Sequence, residues 1–498
     1  MIDKKVILHD YAKLKQLALK FSNKKDYSNA VYYMQRASVL MYNSNLFYSD
    51  EDLENLLQFI SKQAITSNAV KQNHKKRMVF YDYFVIDNRG LTEQYLDALF
   101  SFDYEILYIG CRNDEKSQRI YSKLLEHNVV CKFVTNLDGI EKAQFVFQIF
   151  SEFCPQIIVA HTSPWDVPGL MAINRFDENC KRFLINITDH AFWLGTTVFD
   201  FFLEFRDYGY NISKVYRKID ERKLLKMPYY PLINKNNKFD GFDFDTEGKK
   251  LIFSGGSIYK IQGSHIFFDI VKYIISNYSD TLFLFIGNGD SQYVHDFINN
   301  NKYQNRVFYQ SERKDIYEVF RHCYFYLNTY PLIGGLMTQY ACVAGKLPLT
   351  YNDNCDPCNN VSELMIDCKD IKVEFDDFDS LKDKLDYYLN NPDVLASDSE
   401  KIKNAVIQPE VFNRILYDYL QSDTPVSKLG FNAYEIDIAK FAEQYIERFN
   451  EKSGLLYYRL IIDTRLRNLW YFPICILKGI RLMLPICKYI IHNKLIKR

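Results

Sequence analysis

Between Arg77 and Thr350 the chain runs twice through one rhythm: a short apolar run, a loop rich in Gly, Asn, Asp or Ser, then an amphipathic stretch. That alternation leaves few options. Successive strands joined by helical crossovers must lie parallel, and the crossovers cover both faces of the sheet they connect. In the first series the apolar runs are Met78 to Ile86, Glu105 to Ile109, Val129 to Val134, Gln156 to Ala160 and Arg182 to Ile187. In the second they are Leu251 to Phe253, Leu282 to Ile286, Arg306 to Tyr309, Tyr324 to Leu327 and Leu347 to Thr350. A charged segment rich in Asn and Asp, Asn234 to Lys250, separates the two series and reads as a linker. Two successive doubly wound α/β lobes are expected.

The flanks are helical. Leu14, Leu17, Ala18 and Phe21, then Ala30, Tyr33, Met34 and Ala37, recur at helical spacing. This prefix resembles a single tetratricopeptide unit, too little for a solenoid. It is read as a cap packed on the next domain, with a partner-docking module as the alternative. At the other end, after Asp463, the chain carries Arg465, Arg467, Lys478, Arg481, Lys488, Lys494, Lys497 and Arg498 among aliphatic and aromatic residues and has no acid. A basic amphipathic tail of this kind suits the headgroup layer of an anionic membrane, or else packs on the lobes with its lysines in water. Pro473 and Pro485 interrupt any single long helix there. The expected division is residues 1–75 helical, 76–240 first lobe, 241–425 second lobe and 426–498 C-terminal helices with the tail.

Composition excludes several classes. Lys plus Arg equals Asp plus Glu at 62 each, so no global field attracts nucleic acid. Eleven cysteines lack the spacing of a disulfide framework, and the N-terminus lacks a signal-peptide core. The apolar stretches near the C-terminus are cut by charges before reaching the ~20 residues that a spanning helix needs. A reduced, cytoplasmic protein is expected, touching the inner face of a membrane if the tail binds lipid. Cys355-Asp356-Pro357-Cys358 lacks the second pair of a zinc site, even counting Cys368. Asp243-Phe244-Asp245 falls in the linker, so no metal and no resident cofactor are expected.

In open α/β sheets ligands bind beyond the carboxyl ends of the strands, which directs attention to the loops there. Ser254-Gly255-Gly256-Ser257, with Lys260 and Gly263 beyond, offers backbone amides and a cation to a phosphate. Gly287-Asn288-Gly289-Asp290 follows the next apolar run. The third loop is more specific: Asn328, Thr329, Tyr330 and Pro331 lead to Gly334-Gly335-Leu336-Met337-Thr338, which opens a helix. A helix start after a glycine pair presents unpaired N–H groups and the positive end of the helix dipole to an anion. In the loop Gln310 to Asp315, Arg313 and Lys314 read as solvated surface charges rather than phosphate ligands.

Taken in order over residues 77–420, these loops resemble the nucleotide-binding lobe of GT-B glycosyltransferases, with family 4-like character. The run Tyr330 to Thr338, with Gly345 and Pro348 after it, is also similar to the donor loop of O-linked N-acetylglucosamine transferases and related bacterial enzymes. The resemblance implies two Rossmann-like lobes and transfer of a sugar from a nucleotide-sugar to a hydroxyl on a surface glycan, a lipid-linked saccharide or a protein. It implies that Gly335, Leu336, Met337 and Thr338 hold the diphosphate, with a hydroxyl donor from Thr338 and with Lys260 neutralising the leaving group. Many retaining GT-B enzymes place two glutamates eight positions apart around this loop, whereas Leu332 to Ile333 and Tyr340 to Ala341 hold no acid. That tilts the expectation towards inversion.

In the first lobe, Asp189 and His190 follow a strand end and are the leading acid–base pair, because a histidine titrates near neutrality and a carboxylate can orient it. The bland alternative is that His190 merely bonds a backbone group or holds the acceptor. His161, with Trp165 and Asp166 nearby, is the second candidate, and Asn88-Arg89-Gly90 matches a first-lobe phosphate or acceptor loop. Asp200, Glu204 and Arg206 read as helical surface charges. A nucleotide-sugar epimerase and a non-catalytic sugar-nucleotide-binding or scaffold protein remain as alternatives. An NAD dehydrogenase is disfavoured because no GxGxxG follows the first strand of either lobe.

Overall fold

The computed structural model describes residues 3–446 apart from 67–75, 88–90, 235, 354–358, 367–369 and 440. Asn88, Arg89 and Gly90, the Cys355 to Cys358 motif, Cys368 and the basic tail lie outside the described residues.

Three helices open the chain, α1 (Lys4–Asn23), α2 (Tyr27–Ser44) and α3 (Glu51–Ala64), each begun by an aspartate whose carboxylate accepts from a backbone amide of the first turn: Asp3, Asp26 and Asp50. The first sheet is built from β1 (Arg77–Asp82), β2 (Glu105–Gly110), β3 (Val130–Phe133), β4 (Ile157–His161), β5 (Lys181–Asn186), β6 (Phe201–Glu204) and β7 (Leu224–Lys226). Its helices are α4 (Leu91–Phe100), α5 (Gln118–Glu126), α6 (Gly139–Phe153), α7 (Val167–Arg175) and α8 (Asp207–Val215). The second sheet comprises β8 (Lys250–Gly255), β9 (Thr281–Ile286), β10 (Val307–Gln310), β11 (Tyr326–Leu327), β12 (Pro348–Tyr351) and β13 (Glu374–Phe375). It is covered by α9 (Ile266–Asn277), α10 (Gln292–Asn301), α11 (Ile316–Arg321), α12 (Gly335–Val343), α13 (Phe378–Asn390) and α14 (Pro392–Ile402). Helix α15 (Pro409–Gln421) follows.

Every strand pair in both sheets is parallel. The orders are β3-β2-β1-β4-β5-β6-β7 and β10-β9-β8-β11-β12-β13, so two Rossmann-like lobes follow one another. A strand buried on both faces reads as an unbroken apolar run, as Leu282 to Ile286 does; every residue of β9 is buried.

The prefix is a cap. Tyr11, Leu14, Met34, Leu53 and Leu57 share one core with Phe150, Leu170 and Trp193 of the first lobe. The buried carboxylate of Glu54 accepts from the amides of Gly195 and Thr196 at 2.7 and 3.1 Å, fastening α3 to the loop after β5. The segment from α15 to Phe431 returns to the same lobe. Phe412 of α15 packs its ring 5.2 Å from Tyr95 of α4, and Lys181 at the start of β5 donates to the carbonyls of Leu420 and Ser422 at 3.0 and 3.1 Å. Phe431 then stacks on Tyr210 of α8 at 4.2 Å.

Two expectations are corrected here. Asp200, Glu204 and Arg206 are not helical surface charges: Phe201 to Glu204 is the short strand β6, Glu204 and Arg206 are buried, and Asp200 accepts from the amide of Arg182. The segment from Asn234 to Lys250 has no helix or strand among its described residues before β8 begins at Lys250, but it is bound along the second lobe. Phe244 stacks on Phe308 at 3.8 Å and Phe239 on His322 at 3.8 Å. Polar contacts add to this, Asp243 accepting from Gln310 Nε2 at 2.6 Å and Asp240 N donating to Asp315 at 2.9 Å.

Candidate functional site in the interlobe cleft

In each sheet the strand order reverses at one place, between β1 and β4 in the first lobe and between β8 and β11 in the second. Crossovers leave in opposite directions there, opening a crevice at the carboxyl ends of the strands. Gly255 ends β8 and Asn328 follows β11; Asp82 ends β1 and His161 ends β4. The Gly255–Gly256 and Asn328–Gly335 loops of the second lobe, and Asp82 and His161 of the first, sit at these two reversals.

The second lobe's reversal is a scaffold for backbone. Gly256 adopts φ +133°, a conformation L side chains rarely reach. A Cβ on Gly287 would stand 1.8 Å from the carbonyl oxygen of Gly256, so the two glycine loops close on each other only because Gly287 has no side chain. Ser257 donates to Asn288 Oδ1 at 2.9 Å, and Asn288 Nδ2 donates to Glu312 at 3.1 Å, which links the loops after β8, β9 and β10. The loop after β11 is stapled by two buried asparagines. Asn328 Oδ1 accepts from the amides of Thr329 and Gly334 at 2.9 and 3.0 Å, and Asn359 Oδ1 accepts from Ile333 N at 3.1 Å. Among the described residues the amides of Gly335, Leu336 and Met337, at the start of α12, find no acceptor. Lys260 Nζ donates to the Ile333 carbonyl at 2.9 Å, which brings an ammonium beside that helix start.

Three expected roles change. Thr338 is buried, its hydroxyl accepts from Asn328 Nδ2 at 2.9 Å and lies 3.1 Å from the Gly334 carbonyl it donates to; it holds the loop rather than facing a ligand. Tyr330 is buried too, with its hydroxyl on Asp353 at 2.7 Å. Arg313 is not a solvated charge: it is 13% exposed, pairs with Asp315 and donates to the Gly241 carbonyl at 2.7 Å.

A cleft of about 740 Å³ opens between the lobes. The second lobe walls it with Gly256, Ser257, Gly287, Asn288, Leu336 and Met337, joined by the loop after β10. The segment between the lobes adds Leu232, Asn234 and Asn237, and the first lobe adds Glu93 and Arg119. Sequence reasoning missed these last two, which no glycine pattern flags. Gly334 and Gly335 lie just behind the wall, Gly335 facing the Tyr229 hydroxyl.

The two candidate histidines do not line that cleft. His161 is buried, with Nδ1 3.0 Å from Asp82 Oδ1. Thr92 and Tyr108 donate to the other Asp82 oxygen at 3.0 and 2.8 Å, and Phe84 and Val85 amides donate to Oδ1. Because the carboxylate can only accept, Nδ1 carries a proton; in the neutral tautomer this arrangement selects, the lone pair is on Nε2. Nε2 is buried without a partner among the described residues. Burial alone would raise the Asp82 pKa; His161 and the bonds from Tyr108 and Val85 overcome it and the net shift is downward. Asp82 escaped sequence reasoning because the run Met78 to Ile86 reads straight through it. Thr92, one residue before the cleft-lining Glu93, is 3.1 Å from His161 Nδ1.

Asp189 is differently engaged. Burial pushes its pKa up, but Arg206, bonded at 2.6 and 3.0 Å, brings it down to about 2. Its charge is spent on Arg206, and His190 lies 3.3 Å away as a third, partly exposed member. The His190 carbonyl accepts from Asn45 of the prefix at 2.7 Å. Asp166, expected beside His161, instead pairs with Lys142 at 2.8 Å and Tyr81 at 2.6 Å.

No family model and no curated protein matches the chain. Solved structures do. A mutant O-GlcNAc transferase from Thermobaculum terrenum superposes with a TM-score of 0.51 at 14% identity, covering 83% of this chain and 81% of that one. HepE from Anabaena, solved with UDP and glucose, gives 0.51 at 13% identity over 70% of this chain and 100% of its own. A glycosyltransferase from Rickettsia africae gives 0.51 at 12% identity over 69% and 97%. The chain has the GT-B fold. Within a GT-B frame the cleft just described lies where two lobes meet, and among the described residues no helix is long and apolar enough to cross a membrane.

Proposed function

We propose that this chain is a glycosyltransferase that takes a sugar from a nucleotide-sugar and passes it to a hydroxyl acceptor. The observation that carries the reading is that the Gly256 and Gly287 loops and Leu336 and Met337 at the start of α12 wall one interlobe cleft, while Lys260 Nζ is bonded to the Ile333 carbonyl just before that helix. Preorganised N–H groups and a cation stabilise a diphosphate most where it gains charge, as a leaving group does. HepE, a structural neighbour, was solved with UDP-glucose, which makes uridine nucleotides the first to test.

His161 is the better-supported base. Asp82 fixes its tautomer, whereas the carboxylate beside His190 is committed to Arg206. In the proposed step Nε2 takes the proton of the acceptor hydroxyl as its oxygen attacks the anomeric carbon. The bond from that carbon to the phosphate oxygen breaks, and the nucleoside diphosphate leaves with its charge met by Lys260 and the α12 amides rather than by a metal ion. Attack opposite the leaving group inverts the anomeric centre. Nε2 is buried and the Phe84 ring lies 5.0 Å from that of His161, so the proposed step requires this site to open to the acceptor. Surface glycans, lipid-linked saccharides and proteins are the acceptor classes to screen.

The test is incubation with a panel of nucleotide-sugars, with and without acceptors, following free nucleoside diphosphate and product. Acceptor-dependent release supports the proposal. Conversion of the donor's sugar without acceptor makes the chain an epimerase, and binding with no turnover on any acceptor makes it a scaffold.

A further inference from the structure

Glu93 and Arg119 wall the cleft from the first lobe, and the structure explains why they stay there. Arg119 lies in the first turn of α5 and is held at both ends. Asp87 accepts from its backbone amide at 2.9 Å and from that of Ile120 at 3.0 Å. Glu93 Oε2 stands 3.0 Å from its Nη2. Glu93 itself is 2% exposed, and a carboxylate withdrawn from water to that depth is retained only against a cation. Lys123, the other cation near it, is 3.8 Å away and closer to Asp97, at 2.5 Å. The Arg119 side chain is 52% exposed, so its anchor is buried while the arginine reaches the cleft.

Across the cleft stands α12. Burial raises the pKa of Tyr340 on that helix, Arg119 lowers it and Glu93 raises it, which places the ion pair within electrostatic reach of the second lobe. Tyr340 and Met337 wall the same cavity as Arg119.

We infer that Arg119 is the first lobe's contact to the diphosphate of the bound nucleotide-sugar, and that Glu93 is its positioning residue. The inference rests on the donor reading above and deepens it. A guanidinium presents parallel N–H donors that match two phosphate oxygens, which an ammonium cannot do. The diphosphate is then held from both lobes, by Lys260 and the α12 amides on one side and by Arg119 on the other. A ligand without phosphates has nothing for Arg119 to grip.

Calorimetric titration of the full chain with UDP and with uridine tests this. Arg119→Gln should weaken UDP by about tenfold or more and change uridine by less than about twofold, with Arg119→Lys between them. Glu93→Gln should weaken UDP by about threefold to tenfold, and should add nothing once Arg119 is Gln, as expected of a residue that acts through another. Should Glu93→Gln fail to fold, the two substitutions at the half-exposed Arg119 carry the test alone. UDP affinity unchanged in Arg119→Gln overturns the inference and leaves the donor reading standing. A wild-type chain that binds none of UDP, GDP, ADP, CDP and dTDP removes the donor reading and the inference together.

Discussion

The two strand-order reversals of this molecule are built from different materials. At the second lobe's reversal the polar groups turned towards the cleft are mostly backbone, exposed by Gly256, Gly287 and the start of α12 and held by Asn328 and Asn359 from behind. At the first lobe's reversal the polar groups are side chains, Asp82 and His161, buried behind the surface and bonded to Thr92 and Tyr108. Backbone amides suit a diphosphate, which every nucleoside-diphosphate sugar carries. Side chains suit a proton transfer, where one group with one pKa must be placed. The division suggests where substitutions should act on binding and where on turnover.

The largest effect tests the first-lobe half. His161→Ala should lower turnover by about 10²- to 10⁴-fold while UDP affinity stays within about threefold, and His190→Ala should do much less. Steady-state kinetics on both variants would break the comparison if their effects were reversed. Next comes Gly287→Ala, which must displace the Gly256 carbonyl. It should weaken UDP by at least about 30-fold, as loss of a preformed site costs a few kcal/mol, without altering the pH dependence of residual turnover.

Two further substitutions concern the first lobe's buried charges, which the account assigns to stability rather than to chemistry. Asp189→Ala removes the carboxylate that meets the buried Arg206 at 2.6 Å, and should cost about 3–5 kcal/mol in urea unfolding. Glu204 gives a smaller and pH-dependent effect. Burial raises its pKa to about 7, against the bonds from Ser213 and Asn186. Well below its ordinary pKa of 4.5 it is protonated whether the chain is folded or not. As pH rises towards 7 the unfolded chain ionises it while the folded chain keeps the proton, so stability should fall by roughly 3 kcal/mol over that window and level off above it. Glu204→Gln should flatten the curve there; an unchanged curve would show that other groups set it.

How much of this was legible in the sequence depended on the range of the interactions. The two sheets were readable because parallel strands buried on both faces appear as apolar runs such as Leu282 to Ile286. The second-lobe loops were readable for the same local reason: glycines adjacent in sequence are adjacent in space. β6 was not, because Phe201 to Leu203 is short and framed by Asp200, Glu204 and Arg206, whose partners Arg182, Asn186 and Asp189 lie on the neighbouring strand or just beyond it. Asp82 and His161 are 79 positions apart, and nothing in either neighbourhood announces the other. Thr338 was recognised as part of the loop, but its inward direction depends on Asn328, ten positions earlier. Glu93 and Arg119 show the same limit, since only the closing of two lobes makes them neighbours of α12.

The central claim is that the interlobe cleft grips a nucleoside diphosphate at the start of α12. A crystal structure of the chain grown with UDP tests it most directly. The account predicts phosphate oxygens within hydrogen-bonding distance of the Leu336 or Met337 amide and of the Lys260 ammonium. Diphosphate density elsewhere on the molecule, with none at that helix start at saturating UDP, would contradict it.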